Sequence, residues 1–394
     1  MKIAILGCGI GGLAAAIFAQ RAGFNVSLFD QFDQPQPVGS GLVIQPIGQH
    51  VLDRIGVLDD AIARGAKGYH MLGHDARSKI KVLDVSYGPM GRDMFGLGIH
   101  RAALFDILLG ALKSSGAEVI NNHRVASSTL VEDARYLHFH NGAEIGPFDL
   151  VIDATGAGSP ISPLRAKPLK YSAIWGTVDW PDSTCLNQNM LQQRYRRASK
   201  MIGILPIGLI PNDPTPKAAL FYSMPRAGYG AWRDAPLRDW QSEARALWPA
   251  LDPFISQITS HDQMTFAQYS HGTLRRPFAT RLVHIGDAAH RASPQLGQGA
   301  NMALVDADTL ITCLQNHSPP HALAAYARAR RWHIETYQAL SWLFTPMYQS
   351  DSRLLPLLRD RILAPLSTRQ PARGLLTRLV TGTLIAPTFG LRSR

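Results

Sequence analysis

Cysteine is scarce in this sequence: Cys8, Cys185 and Cys313 are the only three in 394 residues, odd in number and far apart. That excludes a disulfide framework and a cysteine-built metal site, and it suits a reducing, cytoplasmic setting. Long apolar runs are missing as well. No stretch reaches the roughly 18 apolar residues of a membrane span, and the longest late one, residues 379–391, is interrupted by Gly382 and Pro387. Acidic residues are few, 29 against 40 lysines and arginines, for a net charge of +11. Of that excess, +6 falls in residues 351–394, where eight arginines meet two aspartates. No recognised nucleic-acid-binding motif accompanies the charge, so nucleic acid is not an expected partner. The basic stretch reads as solvated helix faces, with weak contact to a membrane surface or a second subunit as the functional alternatives.

What is present is ordinary for a globular protein, with 46% hydrophobic and 18% charged residues. The length suits one large domain or two smaller ones. The opening MKIAILGCGIGGLAAAIFAQ has the lysine, apolar run and small residues of a secretory signal. Its glycine spacing argues otherwise, because a cleaved leader has no use for it.

That spacing carries chemistry. Lys2 to Leu6 is a short apolar run, as a buried parallel strand requires. Gly7, Gly9 and Gly12 follow in GxGxxG order with Gly11 between, then a helix that stops at Gly23, then a strand ending at Asp30. The first glycine permits the tight turn, the second the approach of a pyrophosphate, and the third close helix packing. Asp30 is placed to accept a ribose hydroxyl. Cys8 reads as a small loop residue.

Three further segments behave as parts of one site. GIHRAALFDILLGAL (98–112) puts Arg101 at a helix start, where it can pair with a phosphate. FDLVIDATGAGS (148–159) runs from an apolar strand into a turn at Gly156, the strand end where open α/β sheets collect ligands. RLVHIGDAAH (281–290) is another such strand, ending in Gly286 and Asp287, a short carboxylate suited to sugar-like hydroxyls. After it, Pro294, Gly297, Gln298 and Gly299 lead into a helix with an apolar stripe of Met302, Ala303, Ala307, Leu310, Ile311 and Leu314. The positive end of that helix would stabilise negative charge on a ring system.

These blocks, in this order, resemble the class A flavoprotein monooxygenases, the family of para-hydroxybenzoate, salicylate and ubiquinone-pathway hydroxylases. The likeness spans residue 1 to about 340. It implies that Gly7, Gly9, Gly11, Gly12 and Asp30 hold the adenosine and pyrophosphate of FAD. Arg101 would contact the pyrophosphate side, and Val125 would offer backbone to the adenine. Asp287 would hold the ribityl chain, with Gly156 and Gly286 also at the cofactor, while Pro294 and the Gly297 to Asn301 turn would lie beside the isoalloxazine. It implies an FAD-dependent hydroxylase in which NAD(P)H reduces the flavin, O2 forms a flavin hydroperoxide, and an aromatic ring receives the oxygen. One block departs from the family: its Asp-Gly pair is Thr155-Gly156 here, and the arginine expected after Ser159 is delayed to Arg165. That leaves open an FAD-dependent reductase or dehydrogenase without oxygen insertion, or a non-catalytic flavin-binding protein. The absence of a WxWxIP signature disfavours a halogenase, and the absence of a second GxGxxG disfavours a separate NADPH domain.

The expected fold is α/β: a Rossmann-like FAD-binding domain from residues 1–70, 98–168 and 268–330, with an inserted, mostly antiparallel β substrate domain from 71–97 and 169–267. A helical region is expected from 331 to 394. No side chain is nominated as catalytic and none as a metal ligand. Tyr222 is the candidate substrate contact, with Trp175 and Trp232 behind it, and RYRRASK (194–200) is a candidate guide for an anionic substrate.

Overall fold

The computed structural model describes residues 1–34, 40–78, 80–91 and 93–387. Part of the late apolar run, and Arg392 and Arg394 of the basic stretch, lie outside the described residues.

A six-stranded sheet forms the base of the molecule. Its order is Phe278–Ala279, Leu282–His284, Leu150–Asp153, Lys2–Leu6, Asn25–Phe29 and Val119–Ile120. All neighbours are parallel except the first pair. Alternation along Lys2–Leu6 explains its two covers, because successive side chains of a strand point to opposite faces. Ile3 and Ile5 face a helical layer of Ile10–Arg21, Arg101–Ser114 and Gly299–Asn316. Ala4 and Leu6 face a three-stranded antiparallel sheet through Phe29, Val125, Phe139 and Phe148. Being covered on both sides, the strand is almost wholly apolar.

The second large sheet has seven strands in the order Met264–Ala267, Tyr171–Asp179, Asp213–Pro225, Lys200–Ile210, Met190–Arg196, His70–Asp75 and Lys81–Ser86. All pairs are antiparallel except Met190–Arg196 with His70–Asp75. Its outer face carries Ile174, Ile202, Ile204, Leu220 and Tyr222, packed with Trp232, Trp240 and Phe254 from short helices. Its inner face carries Met201, Leu205, Ile207, Ala219 and Phe221. This face meets the small sheet of Gly41–Ile44, Gly96–His100 and Ala66–Gly68. Two glycines allow the close approach, since a Cβ on Gly41 would overlap Ile207, and one on Gly98 the Pro206 carbonyl.

The helix Pro319–Tyr348 runs straight through the boundary expected near residue 330. Shorter helical turns follow from Leu354 to Thr381 and lie against the Lys81–Ser86 edge strand, where the Thr377 hydroxyl donates to the Ser86 carbonyl at 3.2 Å.

Candidate cofactor site

The carboxyl ends of Lys2–Leu6, Leu150–Asp153 and Leu282–His284 lie side by side, and each runs into a glycine turn. Gly7 has φ +93°, and its amide donates to the Phe29 carbonyl at 2.8 Å. A Cβ on Gly12 would overlap the Gly7 carbonyl, and one on Gly11 would press on Ala303 at 3.3 Å. These glycines are required by contacts inside the protein. Gly9 is different. A Cβ there meets nothing within 4 Å, and Gly9 caps the helix Ile10–Arg21 with no side chain over its free amides. The same openness holds at Gly156 and Gly158 and at Gly299. Bare backbone thus faces open space at the first turns of two helices, where unpaired N–H groups favour an anion.

The Asp30 carboxylate accepts from the Cys8 amide at 2.7 Å and the Phe32 amide at 3.0 Å. It shapes the loop, and its remaining lone pairs stay available to a hydroxyl. Burial, with Asp30 second, pushes the Cys8 thiol up to about 12, so this cysteine is an inert wall residue. The Val125 side chain is buried in the same cluster as Phe29, at the start of a strand that pairs it with Phe139.

On the other side of the cleft, Asp287 is exposed between buried Gly286 and Ala288. Arg101 is also exposed and begins a helix, where its charge adds to the positive end of the dipole instead of opposing it. Such a placement is unfavourable unless an anion arrives. Surrounding protein lowers the Arg101 pKa, and the nearby charges of Asp287 and Tyr269 partly restore it. Burial raises the Tyr269 phenol to about 12, and its oxygen accepts from Trp175 Nε1 at 2.9 Å. The Trp175–Tyr269 bond thus links the inner sheet face to the side of the cleft whose charges include Arg101 and Asp287. Asp287 also lines a small mixed cavity with His290, Ser293, Leu296, Gln298 and Met302.

Several residues expected beside a cofactor act differently. Gln298 turns its buried side chain away, donating to the Val380 carbonyl at 2.7 Å. Asn301 is a buried clip: it accepts from the Gln45 amide at 2.8 Å and donates to the Val43 and Gly297 carbonyls. Its amide has no reach left for a ligand, so what these two residues offer the cleft is backbone. Gly297 sits at φ +62°, ending the turn that starts at Pro294.

The substrate expectations need correction. Tyr222 is on the outer face, edge-on to Trp240 at 6.2 Å, because its register with Ile174 and Ile202 points it away from the cleft. Trp232 belongs to the same outer layer. The 194–200 segment is not a guide either: Arg194 stacks over Trp248, and Arg196 and Lys200 pair with Glu243. Trp175, stacked on Phe221 at 4.6 Å, faces inward.

Two buried charged groups escaped the sequence reading. Asp153 is fully buried at the end of its strand and accepts from the Thr155 and Ser159 hydroxyls, both at 2.6 Å, and pairs with His284 Nδ1 at 2.7 Å. Thr155 thus has a partner inside the chain. Asp306, also fully buried, accepts from the Gly286 amide at 2.9 Å and from Arg330 Nε at 2.7 Å, and contacts His290 Nε2 at 2.6 Å. Burial by itself would raise the Asp306 carboxyl, but His290, Arg330 and the Gly286 amide reverse it and hold it well below the ordinary range. His290 thus has a buried partner inside the chain. The signal for Asp306 was available, since it lies four residues from both Met302 and Leu310 on the apolar stripe.

The architecture matches that of Klebsiella pneumoniae HpxO, solved with FAD and uric acid, at a TM-score of 0.82 with 18% identity and 98% of each chain covered. It also matches Pseudomonas aeruginosa PqsL, solved with 2-aminobenzoylacetate, at a TM-score of 0.79 with 18% identity, covering 94% of this chain and all of that one. These likenesses are of fold. In sequence the chain is 26% identical over 362 residues to the 6-hydroxynicotinate 3-monooxygenase of Bordetella bronchiseptica, covering 84% of this chain and 88% of the relative. It is 27% identical over 345 residues to the 3-amino-4-hydroxybenzoate 2-monooxygenase of Streptomyces cremeus, covering 84% and 83%. Residues 1–340 match the family described as FAD binding domain, and the chain belongs to that family.

Proposed function

We infer that this protein is an FAD-dependent monooxygenase that hydroxylates a small aromatic molecule with NAD(P)H and O2. The observation that carries the reading is the bare backbone at Gly9, Gly156 and Gly299, converging with exposed Arg101 and Asp287 on one cleft roofed by an apolar sheet face. A dinucleotide needs that arrangement: no side chains at the phosphates, a cation beside them, and a carboxylate for hydroxyls. Bound FAD, once reduced by NAD(P)H, supplies the electrons that activate dioxygen.

The protein supplies position, charge and dryness. Gly9 and the following helix turn offer amides to the pyrophosphate, and Arg101 neutralises it. Asp287 accepts from the ribityl hydroxyls. The first turn of Gly299–Asn316 stabilises negative charge on the ring. Trp175, Phe221, Leu205 and Met201 exclude water, which protects a reactive oxygen species from wasteful decay. The same apolar face, with Arg194, Arg196 and Lys200 engaged by Trp248 and Glu243, favours a flat ring held by stacking over one held through a carboxylate. Unpaired Cys8, Cys185 and Cys313 suit a cytoplasmic enzyme.

The test is turnover under isotopically labelled O2 with phenols, aromatic acids and quinone precursors. One labelled oxygen atom in the product, the other leaving as water, with one NAD(P)H consumed, is the expected result. Conversion of a substrate by the reduced enzyme without oxygen would overturn it in favour of a reductase.

A further inference from the structure

The large hydrophobic side chains left exposed are not spread evenly along the chain. Among the described residues, nine of the thirteen lie between 332 and 375: Trp332, Trp342 and Leu343 on the long helix, and Leu354, Leu357, Leu358, Ile362, Leu366 and Leu375 beyond it. Leu354 is 77% exposed and Trp342 70%. Leu354, Leu358, Ile362 and Leu366 recur every four residues along one continuous helical run, so they form a stripe.

The run is firmly seated on its opposite side. Buried Arg359 donates to the Met347 carbonyl at 2.8 Å and the Arg197 carbonyl at 3.2 Å and lies over the rings of Tyr195 and Tyr348. The exposed leucines therefore belong to an ordered surface and not to a loose end.

Charge identifies what covers it. Arg353, Arg361, Arg369, Arg373 and Arg378 are all exposed around the stripe. The two acids in the same stretch are already engaged: Asp351 by Lys170 and the Tyr171 hydroxyl, and Asp360 by Arg359. A second copy of this chain fits poorly. A closed dimer sets the same patch against itself, so five arginines would face five arginines with no acid between them. Nucleic acid would leave the leucines in water. An anionic bilayer satisfies both halves of the surface, with phosphates for the arginines, acyl chains for the leucines, and a headgroup layer for the tryptophans.

We propose that the 354–375 face is a peripheral docking surface for an anionic lipid bilayer, lying in the plane of the membrane without crossing it. No helix among the described residues is long and apolar enough to span one.

The experiment is flotation of the full-length holoenzyme with vesicles of phosphatidylcholine alone and of phosphatidylcholine mixed with phosphatidylglycerol. Binding is expected only to the mixed vesicles, and it should collapse at high salt. Each of Arg361→Ala and Arg369→Ala should weaken it about fivefold, and Ile362→Ser about tenfold. Flavin content and melting temperature should stay those of the parent, since these side chains are exposed and remote from the cleft. Failure to float with the mixed vesicles, or equal flotation with neutral ones, would overturn the proposal. So would a concentration-dependent dimer, seen by light scattering, that the same substitutions dissolve.

Discussion

Two glycine turns frame the cleft, and opposite physics holds them in place. The Gly7–Gly12 turn is fixed by contact: Gly12 touches the Gly7 carbonyl, Gly11 touches Ala303, and Asp30 ties down the Cys8 amide. Gly7 in turn packs on the Ala154 and Thr155 backbone with no room for a Cβ. The Gly286–Ala288 turn is fixed by buried charge. Its Gly286 amide rests on Asp306, which is held by Arg330, and Arg330 in turn donates to the Pro387 carbonyl at 2.8 Å. Its support is drawn from a hundred residues of later chain. Steric fixation is insensitive to pH, whereas an ion network is titratable.

The largest expected effect follows from that difference. Asp306→Ala leaves Arg330 buried without its counter-charge, and such a loss costs about 3–5 kcal/mol. A melting temperature equal to the parent's would show that the network contributes no more than ordinary packing.

Next comes the steric turn. Gly12→Ala should cost roughly 3 kcal/mol of stability, because its Cβ has only backbone to displace. Gly9→Val should behave in the opposite way, keeping the melting temperature of the apoprotein but losing FAD, since the space its side chain enters is open. A Gly9→Val protein that purifies with full flavin would remove the pyrophosphate from this turn.

Asp287 tests the cleft itself. Its side chain is exposed, so Asp287→Ala should leave stability alone while weakening FAD binding by about 1–3 kcal/mol, the usual worth of a hydrogen bond to a charged group. Titration of the apoprotein with FAD by fluorescence quenching would measure it.

The pH response separates the two turns more finely. Burial and the Arg330 charge push His333 from 6.5 down to about 3. The folded state thus prefers neutral His333, whose stability contribution is complete above about pH 6.5 and is lost as pH falls toward 3. His333→Gln should flatten the stability curve in that window, removing a slope of up to about 1.4 kcal/mol per pH unit. Denaturant melts across pH would register an unchanged slope if the network did not titrate. The smallest effect belongs to Tyr222→Phe. On the outer face it should change KM and kcat within error, and a raised KM in steady-state assays would return Tyr222 to the substrate.

The contrast also explains what could be read in advance. The GxGxxG turn, the strand ending at Asp30 and the placements of Asp287 and Arg101 were legible because local spacing encodes them. The Asp153–His284 pair was not, since its partners are 131 residues apart in sequence and meet only through parallel pairing of their strands. Tyr222 was misread because the inner and outer faces of a two-sided apolar strand look alike without its register. Gln298 and Asn301 lie at the start of the helix Gly299–Asn316, but their side-chain direction depended on neighbours near residues 45 and 380.

By itself the sequence determined where the glycine turns come, because the spacing of the glycines and the strand and helix patterns that flank them are local. Only the tertiary structure decided which side chains face the cleft and which carboxylates are silenced, because burial, register and charge pairing are properties of elements brought together across hundreds of residues.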